Sequence, residues 1–282
     1  MFDFPKDVRI PLAEWTDVFM DWLLAHFGDF FDLVGHYLLW FLIYIERFFL
    51  WVPWFVLIGV VVFAGWWLMG RLWKGLILGG MLFVIGSFGY WPEAMSTLAL
   101  VSGAVIISLA LGIPLGILMS GSDTFEALMR PILDAMQTMP SFVYLIPVLM
   151  LFGLGKVPAL FATIIYSMPP IIRLTNVGIR EVHHELLECA IAFGATPWQT
   201  LFKVQLPLAR PTIVVGINQT TMMALAMVVV ASMIGARGLG MEVLLAINRI
   251  AVGQGLEAGL SIVLLAIVVD RLTHAMATKT RQ

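Results

Sequence analysis

Seven apolar runs, at about 51–70, 75–91, 94–119, 140–155, 157–173, 209–234 and 256–275, fill most of the chain after residue 50. No other feature constrains the fold so tightly. A bilayer-crossing helix needs about 20 predominantly apolar residues, and one water-soluble core could not bury so many such runs. Of the 282 residues, 61% are hydrophobic and 12% charged, against roughly 25% charged in soluble domains. The expectation is an all-α polytopic membrane protein with about seven transmembrane helices.

Short-loop charges orient the spans. Arg71, Lys74, Arg130, Arg173, Arg180, Lys203, Arg210, Arg271, Lys279 and Arg281 fall on one side if the seven spans alternate, and Lys6, Arg9, Arg47, Lys156, Arg237 and Arg249 on the other. The positive-inside rule makes the richer side cytoplasmic and puts the N-terminus outside and the C-terminus inside. Residues 1–50 form an acidic N-terminal tail followed by a mostly apolar stretch, 33–50, that contains Glu46 and Arg47. A charge at the bilayer centre costs about 2.5–3.5 kcal/mol on insertion scales, so this stretch is expected to lie along the interface. Residues 51–91 supply two additional spans, and 92–282 form the core, interrupted by a cytoplasmic loop at about 174–208. Three GxxxG spacings, at Gly75/Gly79, Gly112/Gly116 and Gly255/Gly259, are candidate sites of close helix approach.

The composition also excludes function classes. A net charge of −2 without basic runs leaves no field to attract nucleic acid. The lone cysteine, Cys189, and the adjacent His183 and His184 offer no metal-ligand spacing. LFGLGKVP (151–158) imitates a phosphate loop, but Met150 stands where its first glycine belongs and Val157 where its Mg²⁺-binding hydroxyl belongs. The chain therefore has no expected catalytic residue, metal or cofactor. No carboxylate sits mid-span after residue 50, which weighs against an ion-coupled secondary transporter.

The loop has local order of its own. Val182, Leu186, Cys189, Ala190 and Phe193 share a helical face, and Gly194 is placed to end that helix in the left-handed conformation. Thr196 with Gln199 three residues later reads as a capping box, and Pro197 suits the first turn. A second short helix carrying Trp198, Leu201 and Phe202 follows, closed by Leu206-Pro207 before the next span. Such a unit is either a knob for a partner's pocket or a hairpin lying on lipid headgroups.

Two further clusters of polar residues face other helices or a translocation pathway: Gln137, Thr138, Ser141 and Tyr144, and Asn218, Gln219 and Thr221 with Met222. GARGLG (235–240), beside an outer membrane exit, reads as a tight turn and as a candidate docking point for a substrate-loaded binding protein.

Glu188-Cys189-Ala190, then Gly194, then Val204-x-Leu206-Pro207 resembles the EAA loop of the membrane subunits of binding-protein-dependent ABC importers, with Cys189 and Val204 as departures. MQTMPSFVYLIPVLMLFGLG (136–155), PPIIRLTNVGIREV (169–182), the stretch 194–240 and DRLTHAM (270–276) resemble the permeases of glycine betaine, proline betaine and choline importers. The resemblance implies a type I importer fold with a five-helix core made of the last five spans, working as a homodimer in the bacterial inner membrane. It implies two copies of an ATPase subunit that use ATP and Mg, an extracytoplasmic substrate-binding protein, and a coupling role for Glu188, Ala190, Gly194, Pro197, Trp198, Phe202, Leu206 and Pro207. A permease for an amino acid or other small solute on the same architecture, an ion-coupled transporter and a noncatalytic scaffold are the alternatives.

Overall fold

The computed structural model describes residues 11–279 and contains no strand among them. The polar tail of residues 1–10 and the terminal Arg281 lie outside the described residues. Twelve helices follow in order: α1 (Leu12–Trp51), α2 (Trp54–Met69), α3 (Leu72–Ser87), α4 (Trp91–Ser120), α5 (Asp123–Thr138), α6 (Ser141–Phe152), α7 (Lys156–Arg180), α8 (His184–Ala192), α9 (Pro197–Thr200), α10 (Leu206–Ala231), α11 (Leu239–Asn248) and α12 (Val252–Lys279). By length and composition five helices suffice to cross a membrane, α1 among them, or six if the bent pair α5–α6 is one span, and the seven expected apolar runs form α2, α3, α4, α6, α7, α10 and α12. Their lengths differ from the expectation. Helices α2 and α3 have 16 residues each and α6 has 12, so the first two extend about 24 Å and the third less, short of a hydrocarbon layer of about 30 Å. Turn residues and prolines, which hydropathy does not weigh, cut them short: Gly70 at φ 67° ends α2, Pro140 opens α6 and Gly153 at φ 70° ends it.

Helix α7 is the centre of the molecule. Its residues Leu160, Ala162, Thr163, Ser167, Ile171 and Ile172 are buried, and α4 and α10 lie against it along seams of small side chains. A methyl group at Gly112 would meet Ile171, and one at Gly116 would stand 2.7 Å from the Ile172 carbonyl oxygen. On the other flank, Gly178 faces Ala209 and Thr212, and Gly216 faces Ile171 and Leu174. Removing side-chain bulk brings the backbones together, which in lipid supplies the dispersion contacts that replace a hydrophobic drive. Ser108 adds buried hydrogen bonds, to the Ile164 carbonyl at 3.3 Å and Ser167 at 3.2 Å.

The GxxxG expectations divide. Gly112/Gly116 and Gly75/Gly79 are packing seams, the latter holding α3 against Ile58 and Val62 of α2. Gly255/Gly259 is not: Gly255 meets only the Ala246 side chain at 3.4 Å, and Gly259 faces open space. Spacing alone cannot tell which helical face meets a neighbour.

Residues 33–50 are the second half of a continuous 40-residue helix that begins at Leu12. Gly35 rests on Phe152, Leu42 is fully buried, and Glu46 accepts hydrogen bonds from Ser96 at 2.7 Å and from the Lys156 ammonium. The charge that argued against a span thus meets an opposite charge 110 positions away, which no local reading reveals. Pairing offsets the desolvation that an isolated carboxylate would suffer. The GARGLG segment forms the expected tight turn. Gly235 and Gly238 take φ values of 90° and 145°, Ala236 and Leu239 are buried, and the Leu239 N–H donates to Thr97 Oγ1 at 2.9 Å. Arg237 remains exposed.

Candidate coupling loop

The loop emerges from the end of α7, where a polar network fixes its base. Arg180 donates to Asp123 at 2.6 Å, to Asn176 at 3.1 Å and to the Met119 carbonyl at 3.2 Å, and pairs with Glu126 at 3.2 Å. Glu126, almost fully buried, also accepts from Asn176 at 2.8 Å and pairs with Arg130 at 2.8 Å. The Asn176 hydrogen bond, supported by Arg130 and Arg180, outweighs desolvation and holds the Glu126 carboxyl below its ordinary pKa. A second tie, Arg173 to Asp134, joins α7 to the amphipathic α5. The ends of α4, α5 and α7 are thereby one unit. The i,i+4 pairs Glu126/Arg130 and Asn176/Arg180 are readable from spacing, whereas their convergence is not.

Beyond this base, α8 ends in a Schellman motif. The Ala195 N–H donates to the Ala190 carbonyl at 3.0 Å and Gly194 N–H to the Ile191 carbonyl at 2.8 Å, with Gly194 at φ 79°. The Thr196 capping box is complete: Gln199 Oε1 accepts from the Thr196 N–H at 2.9 Å, and Thr196 Oγ1 accepts from Gln199 N–H at 3.4 Å. Ala190, Gly194 and Pro197 therefore shape the corner. Glu188 is exposed and 3.2 Å from His184 on the same helix.

The second helix departs from expectation. It does not close at Leu206-Pro207 but continues through a widened π turn, Leu201–Gln205, into α10, so that 197–234 is one helical rod. Pro207 has no N–H to return to the preceding turn. The Leu206 N–H instead reaches back five residues to the Leu201 carbonyl, which keeps the rod helical at a proline that would otherwise end it. Such π turns recur at functional sites.

The exposed face of α8 is largely apolar. Leu187 and Ala190 are half-buried toward the rod, while Leu186, Cys189, Ile191 and Phe193 are exposed. Trp198 and Phe202 stack at 5.8 Å between centroids, one turn apart on the rod. Exposures of 89% for Phe193, 70% for Trp198 and 57% for Phe202 decide the character of this surface. Its apolar groups are displayed and not packed, at a forgone burial of about 1.5–3 kcal/mol for each large side chain.

The pathway candidates separate into groups with different surroundings. Gln137 and Thr138 end α5, where Thr138 donates to the Asp134 and Ala135 carbonyls. Ser141 opens α6 after a 100° bend. Tyr144 is buried edge-on to Tyr166 and its hydroxyl donates back to the Met136 carbonyl, pinning that bend. Asn218 joins α10 to α12, donating to Asp270 at 3.4 Å and accepting from Thr273 at 2.6 Å. Thr221 is buried and donates to the Ile217 carbonyl. Gln219 and Met222 lie on an exposed face of α10.

Comparison with known proteins places this architecture. Residues 108–282 match the family model described as binding-protein-dependent transport system inner membrane component. The chain is 45% identical to the glycine betaine/carnitine transport permease protein GbuB of Listeria monocytogenes serotype 1/2a (strain 10403S), over 98% of this chain and 99% of that one. It is 46% identical to the glycine betaine/proline betaine transport system permease protein ProW of Escherichia coli (strain K12), over 96% of this chain and 77% of that one. An inward-facing structure of the MetNI methionine ABC transporter superposes with a TM-score of 0.58 at 20% identity, covering 68% of this chain and 94% of the other.

Proposed function

This chain belongs to the binding-protein-dependent transport system inner membrane components, and from that premise we propose that it carries a quaternary ammonium compound across the membrane by alternating access. The fold is that of a type I ABC importer permease, and the subunit is not itself catalytic, ATP hydrolysis residing in a separate chain. Glycine betaine, proline betaine or choline is the proposed cargo, supported by relatives named for betaines over nearly the whole chain. A permease for an amino acid or another small solute is the reading this displaces.

The observation that carries the proposal is the exposed aromatic knob on a rod continuous with α10. Two copies of the chain form the pathway, with two ATPase subunits beneath and an extracytoplasmic binding protein above. Trp198 and Phe202 seat in the ATPase, Gly194 holds the corner, and the unbroken rod 197–234 carries displacement of the knob directly into the helix bearing Gln219 and Met222. ATP binding draws the two ATPases together and opens the pathway outward. Return to the inward state follows hydrolysis.

Reconstitution in liposomes tests this. With the cognate ATPase present, adding binding protein loaded with glycine betaine raises ATP hydrolysis and drives uptake. Uptake persisting without the ATPase, driven by a proton or sodium gradient, sinks the proposal, and stimulation by an amino acid in place of a betaine sinks the cargo assignment.

A further inference from the structure

We propose that the step between the short α2–α3 hairpin and the long helix α12 is a binding site for the headgroup of an anionic phospholipid. The site stands whether or not the transported solute is a betaine. Helices α2 and α3 extend about 24 Å, whereas α12, with 28 residues, extends about 42 Å. The hairpin therefore ends short of its neighbour, and a layer of about 30 Å must thin beside it or let headgroups descend.

At that step the structure has a cavity of about 760 Å³. Lys74 of α3 and Arg271 of α12 both line it, together with Trp67, Trp73, Met81 and His274. Indole side chains favour headgroup depth, and paired cations between membrane helices suit a phosphate. Among the described residues no carboxylate lines the cavity. The nearest carboxylate to Arg271 is the adjacent Asp270 at 3.9 Å, which also accepts from Asn218, and Lys74 has no ion pair among the described residues.

The opposite end of the same hairpin supplies an internal control. A cavity of about 510 Å³ opens there beside Trp54 and Trp91, and no charged residue among the described ones lines it. Both ends leave a groove where short helices meet longer ones, but only one end is furnished with cations. Imperfect packing explains a groove; it does not explain Lys74 and Arg271 converging on one.

The test is native mass spectrometry of the intact importer, released from detergent after incubation with equal phosphatidylglycerol and phosphatidylcholine. Wild type should retain one phosphatidylglycerol per permease copy and exclude phosphatidylcholine. The K74Q/R271Q variant should lose retention by about tenfold or more, each basic residue contributing several-fold near an anionic headgroup. K74R/R271K should keep it, as should R249Q, which removes a distant cation. Counting lipid only on assembled complexes removes misfolded protein from the measurement, and R271Q alone, with about a threefold loss, carries the test if the double variant does not assemble. Equal retention by wild type and K74Q/R271Q, or equal uptake of phosphatidylcholine, overturns the proposal.

Discussion

The contact of α4, α7 and α10 and the knob at 184–205 are opposites in how they are held. In the first, Gly112, Gly116, Gly178 and Gly216 bring backbones together and nearly every side chain between them is buried. In the second, α8 has no buried residue, and its order comes from the Gly194 corner and the Thr196 box. One region is stable through what it encloses. The other is shaped by backbone hydrogen bonds while its aromatic groups remain outside, as suits a surface completed by another chain.

Substitutions can break this contrast, and the largest effect belongs to the seam. Gly116→Val would push a side chain against the Ile172 carbonyl and Thr175; we expect loss of folded protein, or destabilisation of at least about 3 kcal/mol, near the upper end for overpacking, read as the yield of monodisperse permease. In the knob, a Trp198/Phe202 double alanine should lower transport more than tenfold while the thermal midpoint of the isolated permease stays unchanged, because both rings are exposed. A matching fall in the midpoint would show that these rings hold the permease together and do not dock a partner. Gly194→Val comes next: a φ of 79° suits glycine, and a β-branched residue there costs about 1–2 kcal/mol. The strain should misplace the corner and uncouple hydrolysis from uptake without unfolding the spans.

The base of the knob sharpens the comparison. Glu126→Gln should destabilise the permease by about 1–2 kcal/mol at neutral pH, the scale of hydrogen bonds to a charged group. Because the native carboxyl titrates below its ordinary value of 4.5, its contribution is complete above that value and is lost as pH falls through the lowered one. The difference between wild type and E126Q, measured by thermal unfolding, should therefore stay constant from pH 7 to about 5 and shrink only in stronger acid. The smallest effect is expected for Arg237→Ala, which removes one exposed side chain from a turn held by buried neighbours; it should leave stability unaltered and reduce delivery from the binding protein only a few-fold.

The two regions were also unequally legible. The knob's corner could be read because caps are local: Gly194 one position past a helix end and Gln199 three after Thr196 specify hydrogen bonds within a few residues. Which face of α8 is exposed is not legible, because Leu186 and Leu187 are equally apolar, and only packing against the rod decides which is covered. The continuation of that rod through Pro207 was also hidden, since a proline after a short helix ordinarily reads as a stop.

The sequence by itself determined that this chain is a bundle of membrane helices with a capped polar loop, for hydropathy, glycine and capping chemistry act over one or a few turns. Only the tertiary structure decided that Glu46 belongs with Lys156, that Arg180 gathers the ends of α4, α5 and α7, and that Gly112/Gly116 packs where Gly255/Gly259 does not. Those outcomes depend on which helix faces meet. In a bundle where almost every face is apolar, periodicity cannot choose among faces, and the choice falls to close fit and to the few charges that must find one another.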